Sequence, residues 1–362
     1  MAHIELNTDS LKHNFNYLKN GFRSYNKDWG IVTKLLCGNK SYLKELVKLK
    51  PKEVHDSRLS NLELLKELAP EIQRVYIKPP PAKIIKRLVA CADVSFNTQI
   101  STIEKINEEA KRQNVIHKVL IMIELGDLRE GVMMEDILSF YQKVFELENI
   151  EVIGIGANLN CLNGILPSKD KLIQLSLYKE LINARFQSNI KWVSAGTSIT
   201  LPLLKKKQVP TGCNHFRVGE TLFFGNDIYD KKPISKMKQD VFTLKAEVIE
   251  IKEKPTVPSG LQGTNLRGEK PEFNRENIGQ KSTRAILDVG VLDVKPEDIK
   301  PLKKGIQLVG GSSDMIIVDL GENADKIKLG DMLSFKPNYM GVLSLMNSKY
   351  ISKKVKTDGN EN

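Results

Sequence analysis

Short apolar runs alternate with amphipathic segments between about residues 29 and 225. The runs are rich in β-branched residues, which predicts buried parallel strands. The segments between them carry helical periodicity; in one of them Leu43, Leu46, Val47 and Leu49 fall near one face. The eight runs are WGIVTKL (29–35), EVHD (53–56), RVYIK (74–78), DVSFN (93–97), KVLIMIEL (118–125), VIGIGANL (152–159), KWVSAG (191–196) and HFRVG (215–219). Eight strand–helix repeats predict an α/β fold, a TIM (β/α)8 barrel.

The pattern changes after about residue 238, where apolar runs follow one another without helical segments between them. These runs are DVFTLKAEVIEI (240–251), RAILDVGVL (284–292), IQLVGG (306–311), MIIVDLG (315–321) and DMLSFKP (331–337). They predict a C-terminal, mainly antiparallel β domain. We therefore expect a barrel over 1–235 and a β domain over 236–362, with a long polar loop at 253–283 and a disordered tail at 351–362.

Composition and charge narrow the class of protein. The chain has 362 residues and a formal net charge of +11, but its lysines are scattered over amphipathic segments without interleaved aromatics. A solvated basic surface is therefore expected, and no nucleic-acid partner. The four cysteines show no CxxC pair and the chain has only 5 histidines, so neither a metal site nor a disulfide framework is expected.

The opening segment MAHIELNTDSLKHN lacks the apolar region of a signal peptide. The longest strongly apolar stretch, VLIMIEL, is too short to span a bilayer. We expect a cytoplasmic protein without a membrane partner, in keeping with its sparse cysteines.

Candidate chemistry lies at the carboxyl ends of the predicted strands, where TIM barrels carry their active sites. Lys34 ends the first strand, and partial desolvation there would make its amine nucleophilic towards an aldehyde. A structural lysine is the alternative. Strands 7 and 8 end in SAGTS and FRVGE, where small residues are followed by Ser or Thr at a helix start. Such a turn exposes backbone N–H groups and a hydroxyl, which suits a phosphate. Together they indicate an aromatic cofactor that carries a phosphate, although SAGTS alone would also fit an ordinary βα turn.

Four segments in order along the chain, VTKLLCGN, IELGDLREG, SAGTS and FRVGE, resemble motifs of the alanine racemase-like, fold type III, enzymes that use pyridoxal 5'-phosphate. HDSRLSN, SFNTQ and GANLNCLNG are similar to the ornithine racemase branch in particular. The resemblance extends over nearly the whole chain and implies a pyridoxal-phosphate-dependent amino-acid racemase.

By this resemblance Lys34 holds the cofactor as a Schiff base and acts as a catalytic base. Arg129 contacts the phenolic oxygen of the cofactor or the substrate carboxylate, and Arg217 faces the pyridine nitrogen. The further cofactor contacts that it implies are Asn158, Ser198, Gly219 and Glu220.

Two departures affect the second acid/base that racemisation requires. Val291 stands at the position of the family's catalytic tyrosine, and Gly38 replaces the tyrosine four residues after the cofactor lysine. Candidates for the missing group are Cys161, Tyr339 and Tyr350, where either tyrosine would come from the β domain of a partner subunit.

The resemblance also implies a homodimer in which the β domain of one subunit closes the barrel of the other. Ser313 and Asp314 of that domain would contact the substrate, and Asp293 or Asp314 could pair with the distal amine of ornithine or lysine. Ornithine is the expected substrate, with lysine or alanine as alternatives. Competing hypotheses are a non-catalytic carrier of the cofactor and an aldolase or decarboxylase on the same fold.

Overall fold

The computed structural model describes residues 1–264, 268 and 270–357, with Arg275 by its backbone alone. The chain divides into two compact units. One comprises Ser10–Gln239, and the other joins Met1–Asp9 to the chain from Asp240 onward. Within the described residues no helix is both long and apolar enough to cross a membrane.

The first unit is a closed barrel of eight parallel strands, all within the continuously described stretch 1–264. Its chain begins after strand β1 (His3–Asn7), with helix α1 (Thr8–Ser24). The barrel strands are β2 (Asp28–Val32), β3 (Glu53–Asp56), β4 (Gln73–Tyr76), β5 (Val94–Asn97), β6 (His117–Met122), β7 (Ile150–Gly156), β8 (Trp192–Ser194) and β9 (His215–Val218). The helices after them are α2 (Lys40–Lys48), α3 (Leu59–Leu68), α4 (Ile85–Cys91), α5 (Ile100–Arg112), α6 (Ile137–Phe145), α7 (Lys169–Phe186), α8 (Leu201–Lys205) and α9 (Glu220–Phe224). A short hairpin, β10 (Asn226–Asp227) with β11 (Lys232–Pro233), follows. Strand β9 closes the ring by pairing with β2.

The barrel interior is filled by side chains, and small residues on β7 make room for large ones on its neighbours. A Cβ added to Gly154 would lie 2.9 Å from Leu120 Cδ1 and 2.9 Å from Trp192 Cβ. Leu120, Phe96 and Met122 are fully or almost fully buried in one apolar cluster. This packing holds the strand ends, and therefore the loops that follow them, in fixed positions.

The second unit is built on an antiparallel sheet. Among the described residues its elements are β1, β12 (Phe242–Pro255), β13 (Lys281–Leu287), β14 (Ile299–Pro301), β15 (Gln307–Gly311), β16 (Ile316–Asp319), β17 (Met332–Pro337), helix α10 (Tyr339–Asn347) and β18 (Ser352–Lys356). The strand order is β14-β17-β12-β13-β16-β15, and β1 pairs antiparallel with β12 and parallel with β18. The predicted fold class, a TIM barrel with a C-terminal, mainly antiparallel β domain, is confirmed.

The predicted limits need three corrections. Residues 1–9 do not belong to the barrel unit, because β1 completes the sheet of the other unit. The predicted loop 253–283 is strand at both ends, since β12 continues to Pro255 and β13 begins at Lys281. The predicted tail 351–362 contains strand β18, which pairs in parallel with β1. Residues 358–362 of that tail lie outside the described residues.

Candidate active site at the carboxyl ends of the barrel strands

Lys34 follows β2 and opens a 3₁₀ helix, Lys34–Leu36, whose entry is fixed by buried polar contacts. Thr33 Oγ1 donates a hydrogen bond to Asp56 Oδ2 at 2.8 Å, and Asn61 Nδ2 donates to the same oxygen at 3.1 Å. Burial raises the pKa of Asp56, although these donors and the Arg58 N–H oppose the rise. The chain that carries Lys34 is thus anchored to the ends of two neighbouring strands.

Lys34 is exposed and lies two residues beyond Val32, the last residue of β2. Its activation by partial desolvation stays a prediction. Glu220 is its electrostatic neighbour at the start of α9. Burial raises the pKa of the Glu220 carboxyl, and the Lys34 ammonium only partly offsets that rise.

Arg217 projects from β9 into the barrel and is 2% exposed. Its Nη2 donates to Ala157 O at 2.8 Å and to Asn158 Oδ1 at 2.7 Å, while its Nη1 donates to Ser194 Oγ. The guanidinium also lies over the ring of Phe96, 5.5 Å from the centroid. Desolvation lowers the pKa of Arg217 to about 10, so the group still carries its charge at neutral pH.

A glutamate that the sequence analysis overlooked connects the two predicted arginines. Arg129 donates from Nε and Nη2 to the Glu130 carboxylate, and Asn158 Nδ2 donates to the same carboxylate. Asn158 in turn accepts from Arg217, as above. The structure therefore brings Arg129, Asn158 and Arg217 into one hydrogen-bonded group. The hydrogen bond to Glu130 is also the main reason that the pKa of Arg129 is raised.

Cys161 lies in the loop after β7, and this loop is held by Asp127 in the loop after β6. The Asp127 carboxylate accepts hydrogen bonds from four backbone N–H groups between residues 161 and 165, at 2.9 to 3.3 Å. Burial opposes the charge of Asp127, but these N–H donors outweigh it and lower its pKa. The Cys161 side chain is exposed.

The turns after β8 and β9 meet at Ser198. Its Oγ accepts hydrogen bonds from the N–H groups of Gly219 at 3.3 Å and Thr221 at 3.2 Å. Gly196 has φ +114°, a left-handed conformation that favours glycine, and a Cβ there would lie 2.6 Å from Thr200 Oγ1. Within the described residues that buried Thr200 hydroxyl has no hydrogen-bond partner.

The turns after β8 and β9 suit a phosphate, because they bring backbone N–H groups close to the hydroxyl of Ser198 and because the Thr200 hydroxyl has no hydrogen-bond partner among the described residues. A planar aromatic ring with an acceptor nitrogen suits the neighbouring buried Arg217. The residues present thus suit both the phosphate group and the pyridine ring of pyridoxal 5'-phosphate.

The remaining predicted residues lie in the β unit. Asp293 Oδ1 accepts from Ser348 Oγ, and Asp314 Oδ2 accepts from Ser313 Oγ, both at 2.6 Å. The N–H groups of Val291 and Leu292 donate to the carbonyls of residues 312 and 313, so the two aspartate-bearing loops are adjacent. Tyr339 is the first residue of α10 and is half-buried, whereas Tyr350 is 85% exposed.

Residues 6–227 match the family model described as the N-terminal domain of alanine racemase. The chain is 33% identical to the ornithine racemase of Acetoanaerobium sticklandii, covering 97% of this chain and 99% of that protein. It is 30% identical to the lysine racemase of Thermotoga maritima, covering 89% of each. An alanine racemase structure from Bartonella henselae with covalently bound pyridoxal phosphate has a TM-score of 0.73 at 16% identity, covering 98% of this chain and 99% of that one.

The barrel with its β domain, the arginines and phosphate-type turn at the strand ends, and the match over residues 6–227 agree with one another. This chain belongs to the alanine racemase family and is an isomerase of the amino-acid racemase class.

Proposed function

We propose that this racemase uses pyridoxal 5'-phosphate held by Lys34 and that ornithine is its substrate. The observation that carries the cofactor assignment is the convergence of Lys34, the buried Arg217 and the Ser198 turn on one end of the barrel. The substrate assignment rests on the similarity to ornithine racemase over 97% of the chain.

When bound, the cofactor withdraws electrons from the α-carbon of a joined amino acid and makes its proton acidic. The Lys34 amine would accept or return that proton on one face of the α-carbon. Arg217 would hold the ring nitrogen with a donated hydrogen bond, and its retained charge keeps a proton from that nitrogen. Ser198 and the backbone at Gly219 and Glu220 would hold the phosphate.

Racemisation also needs a proton donor on the opposite face, and we propose Cys161 for this role, with Tyr339 of a partner subunit as the alternative. The exposed thiol of Cys161 lies in a loop whose position Asp127 fixes, and it interacts electrostatically with Arg129 and Arg217. If Cys161 is the second acid/base, Cys161→Ala should stop exchange of the α-proton of one enantiomer in deuterated water, while the other enantiomer still exchanges. If Tyr339 has this role, Tyr339→Phe should give that result instead.

For the substrate, we propose that Asp293 and Asp314 of a partner subunit bind the distal ammonium of ornithine, since the loops that carry them are adjacent. Among the described residues, each carboxylate has a serine hydroxyl as a side-chain partner at 2.6 Å. The Asp314→Asn variant should raise KM for ornithine by about tenfold, because a hydrogen bond to a charged group contributes about 1.5–3 kcal/mol. Its KM for alanine, which has no distal amine, should not change.

The direct test incubates the pure protein with single L- and D-enantiomers of ornithine, lysine and alanine and follows the opposite enantiomer by chiral chromatography. Borohydride reduction followed by peptide mapping should place the cofactor on Lys34. Lys34→Ala should lose both signals, and Lys40→Ala, an exposed lysine on α2, serves as the matched control. Absence of racemisation with every amino acid would refute the proposed function, and labelling of another lysine would refute the assignment of Lys34.

We further propose a homodimer whose partner subunit completes the site, in a reducing, cytoplasmic setting. None of the four cysteines, all within the stretch 1–264, is in a disulfide. If Tyr339→Phe is inactive, mixing it with Lys34→Ala should restore about one quarter of the wild-type activity, because each mixed dimer has one intact site. Mixtures that stay inactive would indicate that each subunit completes its own site.

A further inference from the structure

A buried chain of hydrogen bonds continues from Arg217 towards the amino ends of the barrel strands. Arg217 Nη1 donates to Ser194 Oγ, which bonds His215 Nδ1 at 2.8 Å. His215 Nε2 bonds Glu53 Oε2 at 3.1 Å, and His55 Nε2 bonds the same oxygen at 3.0 Å. Both histidines have 0% exposure and Glu53 has 4%. The proposed active site does not use these residues directly, yet they form one path to its buried arginine.

The protons in this chain can be assigned from the donors available. Burial opposes the negative charge of Glu53, but the two histidines that bond its carboxylate outweigh burial and lower its pKa. The carboxylate therefore only accepts hydrogen bonds. His55 and His215 must therefore each donate from Nε2. Ser194 Oγ accepts from Arg217, and its own proton can go to His215 Nδ1. This assigns His215 as the Nε2–H tautomer and gives the chain one direction, from arginine to carboxylate.

The ligand atoms of Glu53, His55 and His215 lie within 4.8 Å of one another, which would also suit a metal ion. The contacts favour the hydrogen-bonded chain. Each ligand atom already has a partner at 3.0 or 3.1 Å, and His55 Nδ1 has no partner among the described residues, although metal-bound histidines usually bond through their second nitrogen. A dication would also add charge beside the buried Arg217, which would be costly.

We propose that Glu53, through His215 and Ser194, is a positioning residue for Arg217 and that it keeps the guanidinium oriented towards the cofactor ring. This inference rests on the proposed function for the identity of the cofactor, but the hydrogen-bonded chain can be tested without it. His215 is further confined by Trp192, whose ring stacks on it at 4.2 Å with an interplanar angle of 9°. A Cβ on Gly30 would lie 2.1 Å from His55 Nε2, so the histidine rings have little room to move away.

The first experiment observes the imidazole nitrogens by NMR in the purified protein labelled with nitrogen-15 histidine; the chain has 5 histidines. In Glu53→Leu neither histidine keeps an acceptor for its Nε2–H, so a histidine whose Nδ1 has another acceptor should carry its proton there instead. His215 should be the one that changes, because Ser194 Oγ can accept from its Nδ1–H whereas His55 Nδ1 has no partner among the described residues. An unchanged His215 tautomer would overturn the proposal, as would a stoichiometric metal ion in the purified protein.

The second experiment follows Arg217 through reaction specificity. Loss of its orientation should allow transamination, which leaves the amino group on the cofactor and releases a keto acid. The ratio of keto acid to racemised product should rise about tenfold in Glu53→Leu and in Ser194→Ala, consistent with one lost hydrogen bond to a charged group. If Glu53→Leu does not fold, the result for Ser194→Ala still decides the test.

His117→Gln is the matched control, because His117 is also a buried barrel histidine bonded to a serine, Ser95, at 2.9 Å. It should leave the ratio unchanged. An equal rise in the control would refute a specific role for Glu53. If the wild-type protein racemises no amino acid, the proposed function fails, and the NMR result still decides whether the hydrogen-bonded chain exists.

Discussion

Asp127 offers a sharp test of how the loops at the strand ends are held. Its carboxylate accepts the N–H groups of Cys161, Leu162, Asn163 and Ile165, whereas the loop that contains these residues has no regular secondary structure. In Asp127→Asn one acceptor oxygen becomes an NH2 group that faces backbone N–H donors. Two of the four hydrogen bonds should therefore be lost while the size of the side chain is kept.

The expected magnitude follows from these bonds. A hydrogen bond to a charged group contributes about 1.5–3 kcal/mol, so two such bonds contribute about 3 kcal/mol at the lower end. We use the lower end because an irregular loop can relax. About 3 kcal/mol corresponds to roughly a 100-fold larger population of the open loop. Global stability should change much less, because the loop opens as a local unit.

Hydrogen exchange measures the opening directly, at the amides of residues 161–165. Protection there should fall about 100-fold, and kcat/KM for racemisation should fall with it, because Cys161 belongs to this segment and Asn158 lies three residues before it. Asp227→Asn is the control, since Asp227 Oδ1 accepts two backbone N–H groups, of Tyr229 and Asp230, at 3.0 Å in a different turn. Unchanged protection at residues 161–165 in Asp127→Asn would refute the reasoning.

Three further predictions concern single positions. Gly21 lies inside helix α1 with nothing within 4 Å of an added Cβ, so Gly21→Ala should raise the free energy of unfolding by about 0.5–1 kcal/mol in chemical denaturation. A Cβ on Gly219 would lie 3.1 Å from Val32 Cβ and 3.1 Å from Val32 O, so Gly219→Ala should weaken cofactor binding by about tenfold in a titration, with a normal circular dichroism spectrum. Burial lowers the pKa of His117 from 6.5 to about 4. The unfolded chain then binds a proton that the folded chain does not, so stability should fall as pH drops through this window, by up to about 1.4 kcal/mol per pH unit, and His117→Gln should show a shallower pH dependence of its melting temperature.

The site was only partly predictable because its supporting residues have no motif. Arg129 and Arg217 stand in recognisable segments, but Glu130, which joins them through Asn158, is an ordinary glutamate in sequence. Glu53 and His215 are 162 positions apart and meet because β3 and β9 flank β2 in the closed barrel. The EVHD and HFRV strands did offer one signal, since a charged or titratable residue inside a short buried strand needs a partner.

The sequence by itself determined the eight barrel strands and the strands from Phe242 onward, because their apolar periodicity is local and each run is long enough to be recognised. It also determined the strand ends that carry Lys34, Arg129, Ser198 and Arg217. Only the tertiary structure decided that strand β1 joins the sheet of the second unit, where it pairs with β12 on one side and with β18 on the other. The physical reason is that a five-residue strand has no stability of its own, so its partner is chosen by the hydrogen bonds and packing of chain segments more than two hundred positions away.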